Sequence, residues 1–249
     1  SQLETIMGNL LGADADFSSP LLDTSREVNR VAVVVFGSDD GLCGAFNINI
    51  LKVLVSHIAE IKERYSSAEI VIYPVGCKML KAVDRLIRKE NNIRIETLEG
   101  VDSHTAGAGV KSFVDHLCHE FVVGHFDRVF TLYMNFQSAG RQRPKYEQLL
   151  PVSTETFADN GVKSGTQPYL FEPNPQEIFS SLLPMFLVSV MQEIFPENRA
   201  SEQAARVMAM QSANDNAQKL LEQLQLEFNK LRQQSITTEL LDILGGQVR

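Results

Sequence analysis

The chain has 249 residues, 44% of them hydrophobic and 22% charged, with a formal net charge of −8 at neutral pH. That length suits one sizeable domain with an extension, or two small domains, at the apolar fraction of an ordinary globular protein. The acidic balance excludes a general nucleic-acid binder, which needs a basic face. Three isolated cysteines, Cys43, Cys77 and Cys118, form neither a CxxC pair nor an even disulfide set and point to a reducing compartment.

Gln2–Leu11 is a short amphipathic stretch, with Leu3, Ile6, Met7, Leu10 and Leu11 at helical spacing. A polar linker follows, residues 12–25, before Val31–Phe36, a continuous run of the kind found in a strand buried on both faces. Gly37–Gly44 reads as a turn and Asn47–Tyr65 as a helix. Strands at Glu69–Val75 and Ile93–Leu98 alternate with helices at Lys78–Lys89 and Val110–Val123, and a fourth strand is expected at Arg128–Asn135. Such alternation implies an α/β domain, residues 26–168, with a mostly parallel, Rossmann-like sheet and helices on both faces. Phe136–Lys145 is polar and reads as a connection. It leads to a fifth strand at Glu147–Val152, at an edge and antiparallel because no helix separates it from the fourth. Ser153–Gln167 is a Ser/Thr/Gly-rich loop.

The last region, residues 169–249, is helical almost throughout. Its entry is the Asn174-Pro175 step, and little breaks it before Gly245–Gly246. Helical from Pro175 to Leu244, it would span on the order of 100 Å, more than the width of a domain this chain can build. Pro196 costs about 3 kcal/mol in a helix interior, so a kink or brief break is expected near Phe195. Met210, Ala213, Ala217, Leu220 and Leu224 recur at alternating three- and four-residue steps. The next step lands on Glu227, and Phe228 takes over before Leu231 resumes the row. That is a coiled-coil-like seam with a local slip, its upper half lined by alanines that let a partner helix approach closely. The helix is either folded back on its own domain or a rod that works inside other proteins, and length favours the rod. Leu182–Met191, interrupted by Pro184 and Ser189, is too short to span a bilayer, so membrane association is expected only through partners.

Few residues suggest bond chemistry. Gly37–Gly44 follows a strand and opens a helix, as phosphate loops do. It holds neither Gly-Lys-Ser/Thr nor GxGxxG, and Asp39 and Asp40 would repel a phosphate from the helix N-terminus. Gly41 and Gly44 are therefore assigned to a tight structural turn. His116 and His119, with Asp115 and Cys118 beside them, lack a second ligand cluster and read as surface or packing residues. Cys43 has no adjacent base to make it a nucleophile. No cofactor, no metal and no catalytic residue is expected.

Three motifs in the C-terminal region carry a resemblance. Ser201-Glu202-Gln203-Ala204-Ala205-Arg206-Val207-Met208-Ala209-Met210, then Asn229-Lys230-Leu231-Arg232-Gln233, then Ile236-Thr237-Thr238-Glu239-Leu240-Leu241-Asp242-Ile243 resemble, in order and spacing, SEhaaRMxAM, NKxRQ and ITxELxEI of the gamma subunit of F-type ATP synthase. Gly41-Leu42-Cys43-Gly44-Ala45-Phe46-Asn47 is similar to that family's GLCGxxN, so the resemblance runs over nearly the whole chain. The family signature ends in a Gly-Ala pair, whereas here Gly246 is followed by Gln247. The family also begins with a long basic helix that pairs antiparallel with the C-terminal one, and residues 1–25 resemble only its end and the linker after it. A sequence starting at Ser1 is therefore expected to have lost, or to omit, the first few dozen residues.

The resemblance implies a non-catalytic rotor, the central stalk of a proton-translocating ATP synthase. Its rod would stand inside a hexamer of α and β subunits, and its foot would meet the epsilon subunit and the membrane c-ring. It also implies a peripheral position on an energy-transducing membrane, at the cytoplasmic face of a bacterial cell. Arg206, Arg232, Gln233, Thr237 and Glu239 correspond to partner-contacting positions on the rod, and Tyr169 and Glu172 to the segment near the ring and epsilon. Two other readings stay open on the residues alone: a Rossmann-like nucleotide-binding enzyme, and a generic coiled-coil scaffold.

Overall fold

The apolar run at Arg30–Phe36 (β1) is the middle strand of a five-stranded sheet in the computed structural model, which describes residues 6–7, 18–88, 90, 92–153 and 174–246. After β1 come α1 (Phe46–Arg64), β2 (Glu69–Val75), α2 (Cys77–Ile87), β3 (Ile93–Ile95), α3 (Ala108–Val123), β4 (Arg128–Ser138), β5 (Arg141–Leu150) and α4 (Pro175–Gly246). Strand order is β3-β2-β1-β4-β5, with the first four parallel and β5 antiparallel to β4. Successive residues of β1 point to opposite faces, and both faces are covered, so the strand needs apolar residues at every step. Val31, Val33 and Val35 pack with α1 and α2, while Ala32, Val34 and Phe36 pack with α3 and the first third of α4.

Two expected elements differ in extent. β3 stops at Ile95, because the chain turns there: the Glu96 amide still bonds the Ile72 carbonyl, but the Glu96 carboxylate takes the Tyr73 hydroxyl and Leu98 folds back onto the core. The expected connection Phe136–Lys145 is instead the tip of a β4–β5 hairpin, closed by a two-residue turn at Ala139-Gly140. That tip projects past the covering helices, so neither of its faces must be apolar and the strand period is invisible in its composition. Pro144 is tolerated because β5 is an edge strand.

The kink or brief break expected near Phe195 does not end the helix: α4 is one element with Pro184 and Pro196 inside it. A proline leaves the carbonyl four residues earlier without a donor. Those carbonyls belong to Ser180 and Gln192, both on exposed residues where water can bond them. Meanwhile Phe179, Leu183, Phe186, Leu187, Met191, Ile194 and Phe195 are buried, each stabilising the helix's seat by roughly 1.5–3 kcal/mol. That burial outweighs the proline cost. Phe195 meets Phe36 edge-on at 4.9 Å between ring centroids, and Phe113 at 6.5 Å. By length and composition α4 is apolar enough to cross a membrane, since its prolines do not interrupt it as expected. Phe179, Leu183, Phe186, Leu187, Met191, Ile194 and Phe195 within it are nonetheless core residues of the α/β layer.

Candidate functional site

Strands β1, β2 and β3 run to one side of the sheet and β4 to the other, so the order reverses between β1 and β4. In open α/β sheets, ligands bind in the crevice outside the carboxyl ends of the strands at such a point. Here the protein's own α4 fills it. Asn198 accepts from the Met134 amide (3.1 Å) and donates to the Gly37 carbonyl (3.3 Å), joining the ends of β4 and β1. Ser201 Oγ donates to the Met134 carbonyl (3.0 Å). Glu197 accepts from the Asn135 side chain and the Phe136 amide. Arg206 donates to Glu202 and, through Nε, to the Gly41 carbonyl (3.3 Å). Asn198, Ser201 and Glu202 are each no more than 4% exposed.

The loop between β1 and α1 is closed on itself. Asn47 accepts from the Ser38 amide and donates to Ser38 Oγ, and the buried Cys43 thiol lies against both side chains. The left-handed positions in the turn are Leu42 (φ 63°) and Gly44 (φ 58°). A methyl group at Gly44 would stand 3.4 Å from Ala209 of the rod, whereas one at Gly41 would meet only the end of Lys78. Gly41 and Gly44 both lie in this turn, and its left-handed positions fall at Gly44 and at Leu42, which takes the strained conformation without being glycine.

Asp39 caps α2 rather than α1. It accepts from the Cys77 amide (2.7 Å) and the Ser103 amide (3.0 Å) and hydroxyl. Burial pushes its carboxyl up, but these hydrogen bonds outweigh burial and hold it below the usual carboxylate range. Its carboxylate also holds the Cys77 thiol above the ordinary thiol range, which disfavours the thiolate. Asp39→Asn is expected to destabilise the domain by about 1–2 kcal/mol at neutral pH, read from urea midpoints. Because the folded carboxyl is lowered, its contribution is present above the unfolded carboxylate range. It is lost as pH falls through the folded value, so the wild-type and variant midpoints should converge in acid.

Among the described residues, no three His, Cys, Asp or Glu side chains converge as a metal site. His116 instead packs edge-on to Tyr73, with ring centroids 6.1 Å apart. Burial, reinforced by Asp115, pushes the Cys118 thiol up to about 11, so it too is a poor nucleophile at neutral pH.

Arg232, Gln233, Thr237 and Glu239 lie together on the far end of α4, where every described residue from Met210 to Gly245 is exposed. Arg232 and Glu239, seven residues apart, share a face. Thr237 donates its hydroxyl to the Gln233 carbonyl (2.8 Å) and keeps only acceptor capacity for a partner. Arg206 does not join this group. It stands roughly 39 Å up the helix from Arg232, with a side chain 14% exposed and engaged within the chain. Tyr169 and Glu172 lie outside the described residues. Sequence reasoning missed Asn198 and Ser201. The signal was available: Met191, Ile194, Asn198 and Ser201 continue one three/four-step row of core positions, in which the last two residues are polar.

Comparison with known proteins agrees with this architecture. A family model described as ATP synthase matches residues 1–248. The ATP synthase gamma chain of Bacteroides thetaiotaomicron is 35% identical, over 100% of this chain and 84% of the relative. That of Parabacteroides distasonis is 37% identical, over 99% and 82%. Among solved structures, the rotor of the Euglena gracilis mitochondrial ATP synthase superposes with a TM-score of 0.56 at 16% identity, over 94% of this chain and 92% of that one. A second Euglena gracilis structure, of the OSCP/F1/c-ring assembly, gives 0.60 at 19% identity, over 99% and 80%. These two likenesses bear on the fold, and the relatives of higher identity on the family. The chain belongs to the ATP synthase gamma-chain family.

Proposed function

We propose that this chain is the central-stalk rotor of a proton-translocating ATP synthase. The observation that carries the reading is the division of α4: its first third is core, its polar turns fill the ligand crevice, and its distal part beyond Ala213 stands clear of the described domain. The distal rod occupies the hexamer of α and β subunits. The α/β domain, with the segment holding Tyr169 and Glu172, meets epsilon and the c-ring. The units are residues 1–25, 26–168 and 169–249. The chain performs no bond chemistry. An asymmetric rod turning among β subunits stabilises a different conformation of each in turn, and rotation becomes a sequence of affinity changes for nucleotide. This is coupling through differential contacts with alternative states. The complex sits peripherally on the cytoplasmic face of a bacterial membrane, reached through the ring. The test is co-assembly: co-expressed with α and β subunits, the chain is expected to copurify as one copy per hexamer. Recovery of the hexamer without it would sink the reading.

The enzyme reading predicts something different. With no phosphate-binding lysine in the Gly37–Gly44 loop and Asn198 and Ser201 in the crevice, the isolated chain is expected neither to bind nor to hydrolyse ATP. Calorimetric titration should give no saturable heat. One-to-one binding in the micromolar range would revive the enzyme. A generic scaffold accounts for the rod but not for the Arg232-Gln233 to Glu239 run.

A further inference from the structure

Three zones follow one another along α4. Apolar anchors run from Phe179 to Phe195, polar bonds to the sheet run from Glu197 to Arg206, and the exposed rod begins at Met210. The polar zone is therefore the first part of the domain that a load on the rod meets. Its chemistry differs from that of the anchors. Apolar burial is non-directional and scales with area, so it holds a helix down while opposing small rotations weakly. Hydrogen bonds fail with angle and distance. A twist of about 20° at a side-chain radius of about 5 Å moves an atom by about 1.7 Å, enough to break a bond of ordinary length.

The partners are also fixed. Asn198 bonds the Met134 amide and the Gly37 carbonyl, Ser201 the Met134 carbonyl, Glu197 the Phe136 amide and Arg206 the Gly41 carbonyl. These are main-chain atoms in the second half of β4 and in the turn that follows β1, so the sheet side of each bond cannot yield by a rotamer change. Asn198 needs both its carbonyl and its amide to bridge two strands, which a leucine of similar size cannot do. Asn198 and Ser201 are buried, so at these two positions water does not replace a broken bond.

We propose that Glu197, Asn198, Ser201, Glu202 and Arg206 form a torsional clamp that locks the rotational register of the rod to the α/β domain, so that torque passes between them without slip. Asn198 and Ser201 are its central positioning residues. The proposal rests on the rotor reading and names the joint that reading requires.

The experiment uses the assembled complex with the rod held in the hexamer, and reads the angular variance of the α/β domain about the rod axis in single molecules. Asn198→Leu with Ser201→Ala is expected to raise that variance roughly twofold, because the two side chains supply about half of the clamp's bonds to the sheet. ATP-driven pumping per ATP hydrolysed should fall with it. Ser201→Thr, which keeps the hydroxyl, should stay at the wild-type value. Leu187→Ala is the comparison: it removes apolar packing from the same helix and should lower thermal stability without broadening the angle. Wild-type variance in the double variant overturns the clamp, and so does equal broadening by Leu187→Ala. If the double variant does not assemble, Ser201→Ala alone decides: broadening supports the clamp and unchanged variance overturns it. A wild-type complex whose domain does not turn during hydrolysis would sink the rotor reading instead.

Discussion

Replacing Arg232 and Gln233 together with alanine is expected to weaken coupling between nucleotide turnover and proton pumping while leaving the α/β domain folded. Both residues are exposed on a part of α4 that nothing in the described chain covers. Alanine is the strongest helix former, so the rod keeps its helix. Surface substitutions of this kind shift stability by no more than about 0.5 kcal/mol. Hydrogen bonds to a charged group contribute about 1.5–3 kcal/mol, equivalent to a factor of roughly ten to a hundred in an equilibrium between partner conformations. The interface loss therefore exceeds the folding loss. A guanidinium is suited to this task because its planar fork fixes direction as well as charge. The measurement assembles the variant with its partner subunits and compares ATP hydrolysis with ATP-driven pumping. A folded, assembled double variant with unchanged turnover and pumping would leave these residues as a solvated face and nothing more.

What the amino-acid order revealed depended on whether burial was one-sided. β1 and β2 are covered on both faces, so Val31–Phe36 and Glu69–Val75 read as strands and are strands to the residue or nearly so. α1, expected at Asn47–Tyr65 and found at Phe46–Arg64, keeps the helical period at Ile50, Leu54, Ile58 and Ile61 because a single face is buried. The outer hairpin was not. Between Gln137 and Lys145 the ladder is carried by main-chain bonds on an exposed tip, and such bonds leave no mark on composition. Pro196 misled for the opposite reason: its local cost is real, but Phe195 and Asn198 on either side are held by contacts distant in sequence. Local propensity lost to tertiary packing there. The site divides the same way. Arg232, Gln233 and Glu239 stand out in the sequence because they are polar in a run that resembles a known motif, and the structure places them on the exposed rod. Asn198 and Ser201 were overlooked because their partners are strand-end main-chain atoms more than sixty residues away.

A polypeptide of these 249 residues expressed alone is expected to self-associate in a concentration-dependent way, or to lose the distal rod to proteases. The reason is the seam. Met210, Leu220, Leu224 and Leu231 are 49–64% exposed, and Ala213 and Ala217 between them are exposed as well. A helix covered along one face draws most of its stability from that packing, whereas propensity alone leaves it marginal. From Met210 to Gly246 the rod runs for about 55 Å, and beyond Ala213, which with Met210 lines a groove against Leu42 and Ile48, it has no apolar cover among the described residues. Each leucine that pairs would contribute roughly 1.5–3 kcal/mol, so a second copy laid along the seam is favoured over solvent. The alanines at 213 and 217 let two such helices approach closely, while the slip at Glu227 weakens the register below it. Pairing is therefore expected to centre on Met210–Leu224. Sedimentation velocity across a concentration series should show a shift from monomer to dimer, and limited proteolysis at low concentration should cut within the rod before it cuts the α/β domain. Adding a helix complementary to the seam should suppress both effects. A chain that stays monomeric at high concentration and protects Met210–Leu231 from protease would overturn the expectation.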